Sequence, residues 1–158
     1  MTTPRLLVLS VCAVTLIFGV ESSKKIQKDP SHDYKLAAAK LMLEAMDVIK
    51  KKRWEKEIPT NRQDDPNETG IIGAEYTDLT TSLGSLSAKR TSTNANFAGA
   101  IVEMLFSAGV EMEDPVAICF SGSFPALNIS VLSAVRVLKL EPVIISSIGA
   151  SMYGANDP

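Results

Sequence analysis

The 158 residues contain only two cysteines and one histidine. Cys12 and Cys119 are too few and too far apart for a disulfide framework or a zinc knuckle. A lone histidine makes no metal site, so His32 reads as a surface residue near a helix start and no metal is expected. Neither G-x-x-x-x-G-K-[ST] nor G-x-G-x-x-G occurs, so ATP and NAD binding lack support and no cofactor is expected. An excess of positive charge is missing too. Sixteen Lys+Arg against 18 Asp+Glu leave a net charge of -2, which argues against nucleic acid as a partner. What is present is ordinary: 46% apolar and 22% charged residues, close to the globular average. That balance excludes wholesale disorder, collagen and a polytopic membrane protein. The length suits one domain with an appendage.

The charge is unevenly divided. Residues 1–65 hold 12 basic and 9 acidic side chains, or +3, and residues 66–158 hold 4 and 9, or -5. A basic front half thus precedes a more acidic folded half.

Arg5 precedes an apolar run from Leu6 to Val20 that contains no charge. Fifteen helical residues span roughly 22 Å, against about 30 Å of hydrocarbon. Three readings stay open for residues 1–23: an uncleaved single-pass membrane anchor, a cleaved signal, and a buried core helix. Val20-Glu21-Ser22 is a poor cleavage site, which favours the anchor. Arg5 and the terminal amine on one side face Lys24, Lys25 and Lys28 on the other, so the positive-inside rule gives no orientation. An extracytoplasmic domain is expected because a signal-like terminus normally leads to export.

Beyond it, Asp29-Pro30 offers a helix cap and a first-turn proline. Tyr34, Ala38, Leu41, Met42, Ala45, Val48 and Ile49 recur at helical spacing, which predicts an amphipathic helix over 31–56 within a basic segment, 24–58. Lys50, Lys51, Lys52 and Arg53 near its end are either a solvated face that favours the helix C-terminus or a surface for anionic lipid, polymer or a docking partner. Residues 59–70 have two prolines and no apolar residue, and read as a linker or long loop. A short threonine-rich strand is expected over Tyr76–Leu83. Lys89-Arg90-Thr91-Ser92-Thr93-Asn94 leads into a helical stripe of Phe97, Ile101, Val102 and Leu105 that stops at Gly109.

Val116-Ala117-Ile118-Cys119-Phe120 is a continuous apolar run that reads as a buried parallel strand, with Cys119 a small core residue. A helix follows with Leu127, Val131, Leu132, Val135 and Leu138 on one face, ended by Pro142. Val143-Ile144-Ile145 reads as a second buried strand. Together they predict a right-handed βαβ crossover. The fold class expected is α/β: an anchor helix, an amphipathic helix, then an incomplete Rossmann-like parallel sheet over 71–158. So few strands cannot make a doubly covered sheet, which suggests that the domain continues past Pro158.

Ligands of open α/β sheets bind beyond the C-terminal strand ends. Both ends here are rich in hydroxyls and glycines: Ser121-Gly122-Ser123, and Ser146-Ser147-Ile148-Gly149-Ala150-Ser151. The first opens a helix, whose free N–H groups suit an anion such as phosphate or a carboxylate. Lys89, Arg90, Ser92 and Thr93 could bring cations and hydroxyls to the same rim, and Asn128 lies in the first turn of the helix. Capping by Ser123, Thr93 or Asn94 is the plainer reading of the same residues. Cys119-Phe120-Ser121-Gly122-Ser123 also resembles a nucleophile elbow, with Ser121 the candidate nucleophile. The only histidine lies upstream, the wrong side for that fold. Asp157 is either a site carboxylate or part of an Asp-Pro turn.

The segments T-G-I-I-G-A-E-Y-T (69–77), A-K-R-T-S-T-N-A-N-F-A (88–98), S-G-S-F-P-A-L-N-I (121–129) and P-V-I-I-S-S-I-G-A-S-M-Y-G-A-N-D-P (142–158) resemble the poly-gamma-glutamate system protein family. These are membrane-associated bacterial proteins encoded beside the machinery that makes and exports poly-γ-glutamate. The resemblance runs from about Tyr34 to Pro158 and covers the N-terminal portion of the longer family chain. It implies an accessory role in synthesis or export of that polymer, with the synthase or export components, the polymer itself and membrane lipid as partners. A serine-dependent hydrolase or transferase acting on γ-glutamyl chains, through Ser121 or Ser123, is the alternative.

Overall fold

The computed structural model describes residues 3–24 and 29–157. Lys25 and Lys28, used above for orientation, and Pro158 lie outside the described residues. The first helix, α1 (Thr3–Ser23), carries the apolar run. Its Pro4–Ser23 segment has a mean hydropathy of 2.0 and none of it is buried. That length and composition suffice to cross a membrane. The hydroxyls inside it are already satisfied: Ser10, Thr15 and Ser22 each donate to the carbonyl four residues earlier at 2.7–2.9 Å. No polar side chain of the run therefore demands water.

The long helix predicted after it is α2 (His32–Glu55). It starts two residues later than a first-turn proline would place it. Asp29 instead accepts from the Ser31 amide at 2.8 Å and its hydroxyl at 2.7 Å, leaving Pro30 in the turn. The Lys35 ammonium meets both Asp29 and Glu103. Lys35 and the Ser31 donors hold the Asp29 carboxyl well below the usual carboxylate range.

After α2 come β1 (Thr80–Ser82), α3 (Leu86–Ser92), α4 (Asn96–Ser107), β2 (Pro115–Phe120), α5 (Pro125–Val137), β3 (Glu141–Ser146) and β4 (Ala150–Ser151). The arrangement is α/β, with two parallel pairs, β1–β4 and β2–β3. Helices α2, α4 and α5 pack mutually around Ala38, Met42, Ala98, Val102, Ala134, Val135 and Leu138. Several contact positions are alanine or glycine, which lets the helices approach closely. A Cβ on Gly99 would already sit 3.3 Å from the Lys35 backbone carbonyl.

Burial corrects three expectations. In β2 only one face is covered: Val116 and Ile118 pack on the helical core, whereas Cys119 is exposed. In β3 every residue is exposed, Val143 and Ile145 by about two thirds. An apolar run signals burial only when a second layer lies over it, and the helices cover one side of β2 alone. The buried face of α5 is rotated from the expected stripe. It consists of Ala126, Ile129, Ser130, Ser133, Ala134 and Val135, while Leu132 is 42% exposed. Small residues win that face because α2 and α4 leave little room. Pro142 does not stop α5; it lies in β3, and the chain leaves the helix through Lys139 at φ 54°.

Residues 59–70 form a long loop that is held at several points. Asp65 is buried and accepts from the Gly70 amide at 2.8 Å and from the Thr69 hydroxyl. Arg53, one of the basic run, donates to the Pro59 carbonyl at 3.2 Å and pairs with Asp157 at 2.6 Å. Both side chains of that pair are mostly buried. Asp157 is thus the counter-ion of Arg53. Its replacement by alanine leaves a guanidinium short of its anion, and we expect a loss of about 2 kcal/mol in urea unfolding. An unchanged midpoint would show that the pair contributes nothing.

Candidate functional site

Three segments converge where β2 and β4 end. The 121–124 loop leaves β2, the 149–155 segment contains β4, and α3 lies across both. The first two are stitched by backbone: the Gly122 amide donates to the Gly149 carbonyl at 3.1 Å, and the Ala155 amide donates to the Gly122 carbonyl at 2.7 Å. The Ser151 amide donates to the Ser123 hydroxyl at 3.1 Å. A Cβ on Gly154 would lie 2.6 Å from the Gly122 carbonyl oxygen, so only glycine lets the two loops come this near.

Lys89 reaches into this junction from the last turn of α3. Its side chain is 1% exposed. The Nζ donates to the Ser123 carbonyl and to Ser151 Oγ, the latter at 2.7 Å. The Phe124 ring lies beneath it, 3.9 Å from Nζ to the centroid, a cation–π distance. Among the described residues no carboxylate pairs with Lys89. Burial without a counter-ion disfavours the ammonium and pushes the Lys89 pKa down.

Of the residues singled out in the sequence, the structure brings together Lys89, Gly122, Ser123, Gly149 and Ser151. Arg90 turns the other way and donates to the carbonyls of Gln63 and, at 2.7 Å, Asp64. Ser92 and Thr93 donate to carbonyls of their own helix end, Lys89 and Arg90, at 2.7 Å each. Ser146 and Ser147 are exposed, and the Ser147 amide donates to the Phe120 carbonyl. Asn128 ties α5 to the loop by donating to the Ser121 carbonyl at 2.8 Å. Ser121 itself is exposed, and its hydroxyl accepts only a long bond, 3.4 Å, from the Ser123 amide. Among the described residues no basic side chain bonds to it.

Capping is also placed. Ser123 does not cap α5, whose cap position is Phe124 with no side-chain bond. Asn94 accepts from the Asn96 amide at 3.0 Å ahead of α4. Ser85, not singled out by sequence, caps α3 through the Ala88 amide. Phe124 and the buried Asn156 were also missed. Asn156 donates to the Ala74 carbonyl and to Thr80 Oγ1 at 2.9 Å each, and fastens the segment after β4 to β1. The G-A-N-D-P string gave a turn signal but nothing that pointed to a buried amide.

The basic run of α2 lies apart from this junction. Lys52 pairs with Glu55, Arg53 with Asp157, and Trp54 is 83% exposed. No protein-family model, curated protein or solved structure matches the chain.

Proposed function

We propose that this chain is a membrane-anchored accessory protein of poly-γ-glutamate synthesis or export, and that Lys89 seats a glutamyl carboxylate. One observation carries the reading: a buried amine at a strand-end junction with no acid beside it among the described residues. Burying an ammonium costs several kcal/mol unless a negative group compensates. A ligand carboxylate would supply that group, and Ser123 and Ser151 are hydroxyls already within reach of its oxygens. The exposed apolar α1 supports attachment to the membrane, and the domain is proposed to lie on the extracytoplasmic side. The synthase or export components, the polymer and membrane lipid are the proposed partners. The two parallel pairs are proposed to belong to one Rossmann-like sheet, whose ligand side is the junction around Lys89.

The test uses the full chain in detergent micelles, titrated calorimetrically with γ-linked glutamate oligomers and with the matching γ-linked glutamine oligomers. Heat with the first and none with the second is expected, since only the carboxylate completes the amine. Equal heats, or none with either, would end the proposal.

A further inference from the structure

The same junction holds a second arrangement, independent of any carboxylate. Ser151 Oγ lies 2.7 Å from an amine that has no acidic partner among the described residues. A serine is a weak nucleophile until a base within hydrogen-bond reach takes its proton, and a desolvated lysine is one such base. We propose that Ser151 is a nucleophile and Lys89 its general base, for acyl transfer from an amide or ester carbonyl.

Three features of the site fit that role. The Ser123 carbonyl accepts one N–H of the amine, which orients it and leaves its lone pair for the Ser151 proton. The Phe124 ring covers the amine, and burial lowers its pKa towards the range in which a neutral base exists. The Ser151 backbone is fixed as well, because its amide donates to Ser123 Oγ and the Met152 amide donates to the Ser82 carbonyl. Nucleophile and base therefore sit on a tied segment and a helix end respectively, and neither hangs from a free loop. Ser121, the elbow serine, has no such base among the described residues.

The step balances without any further reagent. Neutral Lys89 takes the Ser151 hydroxyl proton as Oγ forms a bond to the carbonyl carbon. The carbon–nitrogen or carbon–oxygen bond to the leaving group then breaks, and the leaving group takes the proton back from Lys89. Water, deprotonated by Lys89, hydrolyses the Ser151 ester and restores the serine; an acceptor amine in place of water gives transfer. The choice of a γ-glutamyl amide as substrate rests on the function proposed above; the pairing of Ser151 with Lys89 does not.

The test is labelling of the full chain in micelles with a small fluorophosphonate over a series of pH values, read by intact mass and peptide mapping. One adduct on Ser151 is expected, formed faster as pH rises through an ionisation below the ordinary lysine value of about 10.4. Lys89→Met and Lys89→Arg should each slow it on the order of 100-fold, because neither side chain can take the proton. No adduct at any pH, an adduct only at Ser121, or equal rates in folded Lys89→Met would overturn the inference. Should Lys89→Met not fold, a wild-type rate that does not change with pH overturns it equally. Calorimetry separates the two readings. Oligomer binding without labelling removes the nucleophile and leaves the carboxylate seat, whereas labelling without oligomer binding removes the seat and leaves the nucleophile.

Discussion

Gly73→Ala should destabilise the protein by about 3 kcal/mol or more, the upper end of what overpacking costs. A Cβ at residue 73 would lie 1.9 Å from the Gly154 carbonyl oxygen and 2.4 Å from Asn156 Oδ1. The first of these is backbone, so relief requires the 153–156 segment to move. That segment is fixed from several sides. The Gly73 amide donates to the Tyr153 carbonyl at 3.2 Å, and the Tyr153 amide donates to the Ala74 carbonyl at 2.8 Å. Asn156 is wholly buried, and Thr77 Oγ1 donates to its carbonyl at 2.5 Å. A shift large enough to admit a methyl group breaks these bonds and leaves buried polar atoms without partners. The β1–β4 pair would loosen, and with it the position of Ser151. Thermal or urea unfolding of Gly73→Ala beside wild type checks this. A midpoint within error of wild type would mean that the segment yields without cost.

Lys89→Met is the second large effect. It preserves much of the aliphatic stem, removes the amine, and should weaken binding of γ-linked glutamate oligomers by roughly 10- to 150-fold, the range for a hydrogen bond to a charged group. Stability should move much less, because the substitution also removes the cost of a buried amine. The Ser123 carbonyl and Ser151 hydroxyl do lose a donor, which opposes that gain. Binding and stability therefore separate in this variant, as they do not in Gly73→Ala. If Lys89→Met unfolded the chain and bound oligomers normally where folded, the amine would be a structural strut.

The pH dependence follows from the depressed Lys89 pKa. The folded state holds fewer protons than the unfolded one between the two pKa values. Stability from this group therefore rises as pH rises through the folded value and levels off above the unfolded one. A bound carboxylate favours the ammonium, so oligomer affinity should fall over the same rise. Acylation of Ser151 should run the opposite way and gain with pH.

Much of the helical layer was legible in the sequence. Tyr34, Ala38 and Met42 mark α2 by spacing, and Phe97, Ile101 and Val102 mark α4. The parallel pairing of β2 with β3 follows from two apolar runs joined by a helix. Burial was less legible, because Val143, Ile144 and Ile145 are as apolar as core residues and nothing in the run itself says whether a layer covers them. Helix α3 was missed for a different reason. Ser87-Ala88-Lys89-Arg90-Thr91-Ser92 has no apolar stripe, and the helix rests on Ser85 as its cap and on Lys89 anchored in the junction. Composition brought Lys89, Ser123 and Ser151 into one list, but 62 residues separate the amine from the hydroxyl it meets. The parallel β1–β4 pairing helps to join them, and two strands of three and two residues leave almost no signal. Arg90 shows the converse. It adjoins Lys89 in sequence, yet one residue turns a helical side chain by about 100°, and its guanidinium serves the 59–70 loop.

Lys89 is proposed to be an amine short of an anion. This is tested most directly by following the ¹⁵N-labelled Lys89 Nζ by NMR through a pH titration, with and without γ-linked glutamate oligomers. An ionisation below the ordinary lysine value is expected in the free protein, raised when oligomer is present. A Lys89 that titrates with the surface lysines and ignores the oligomer would contradict it.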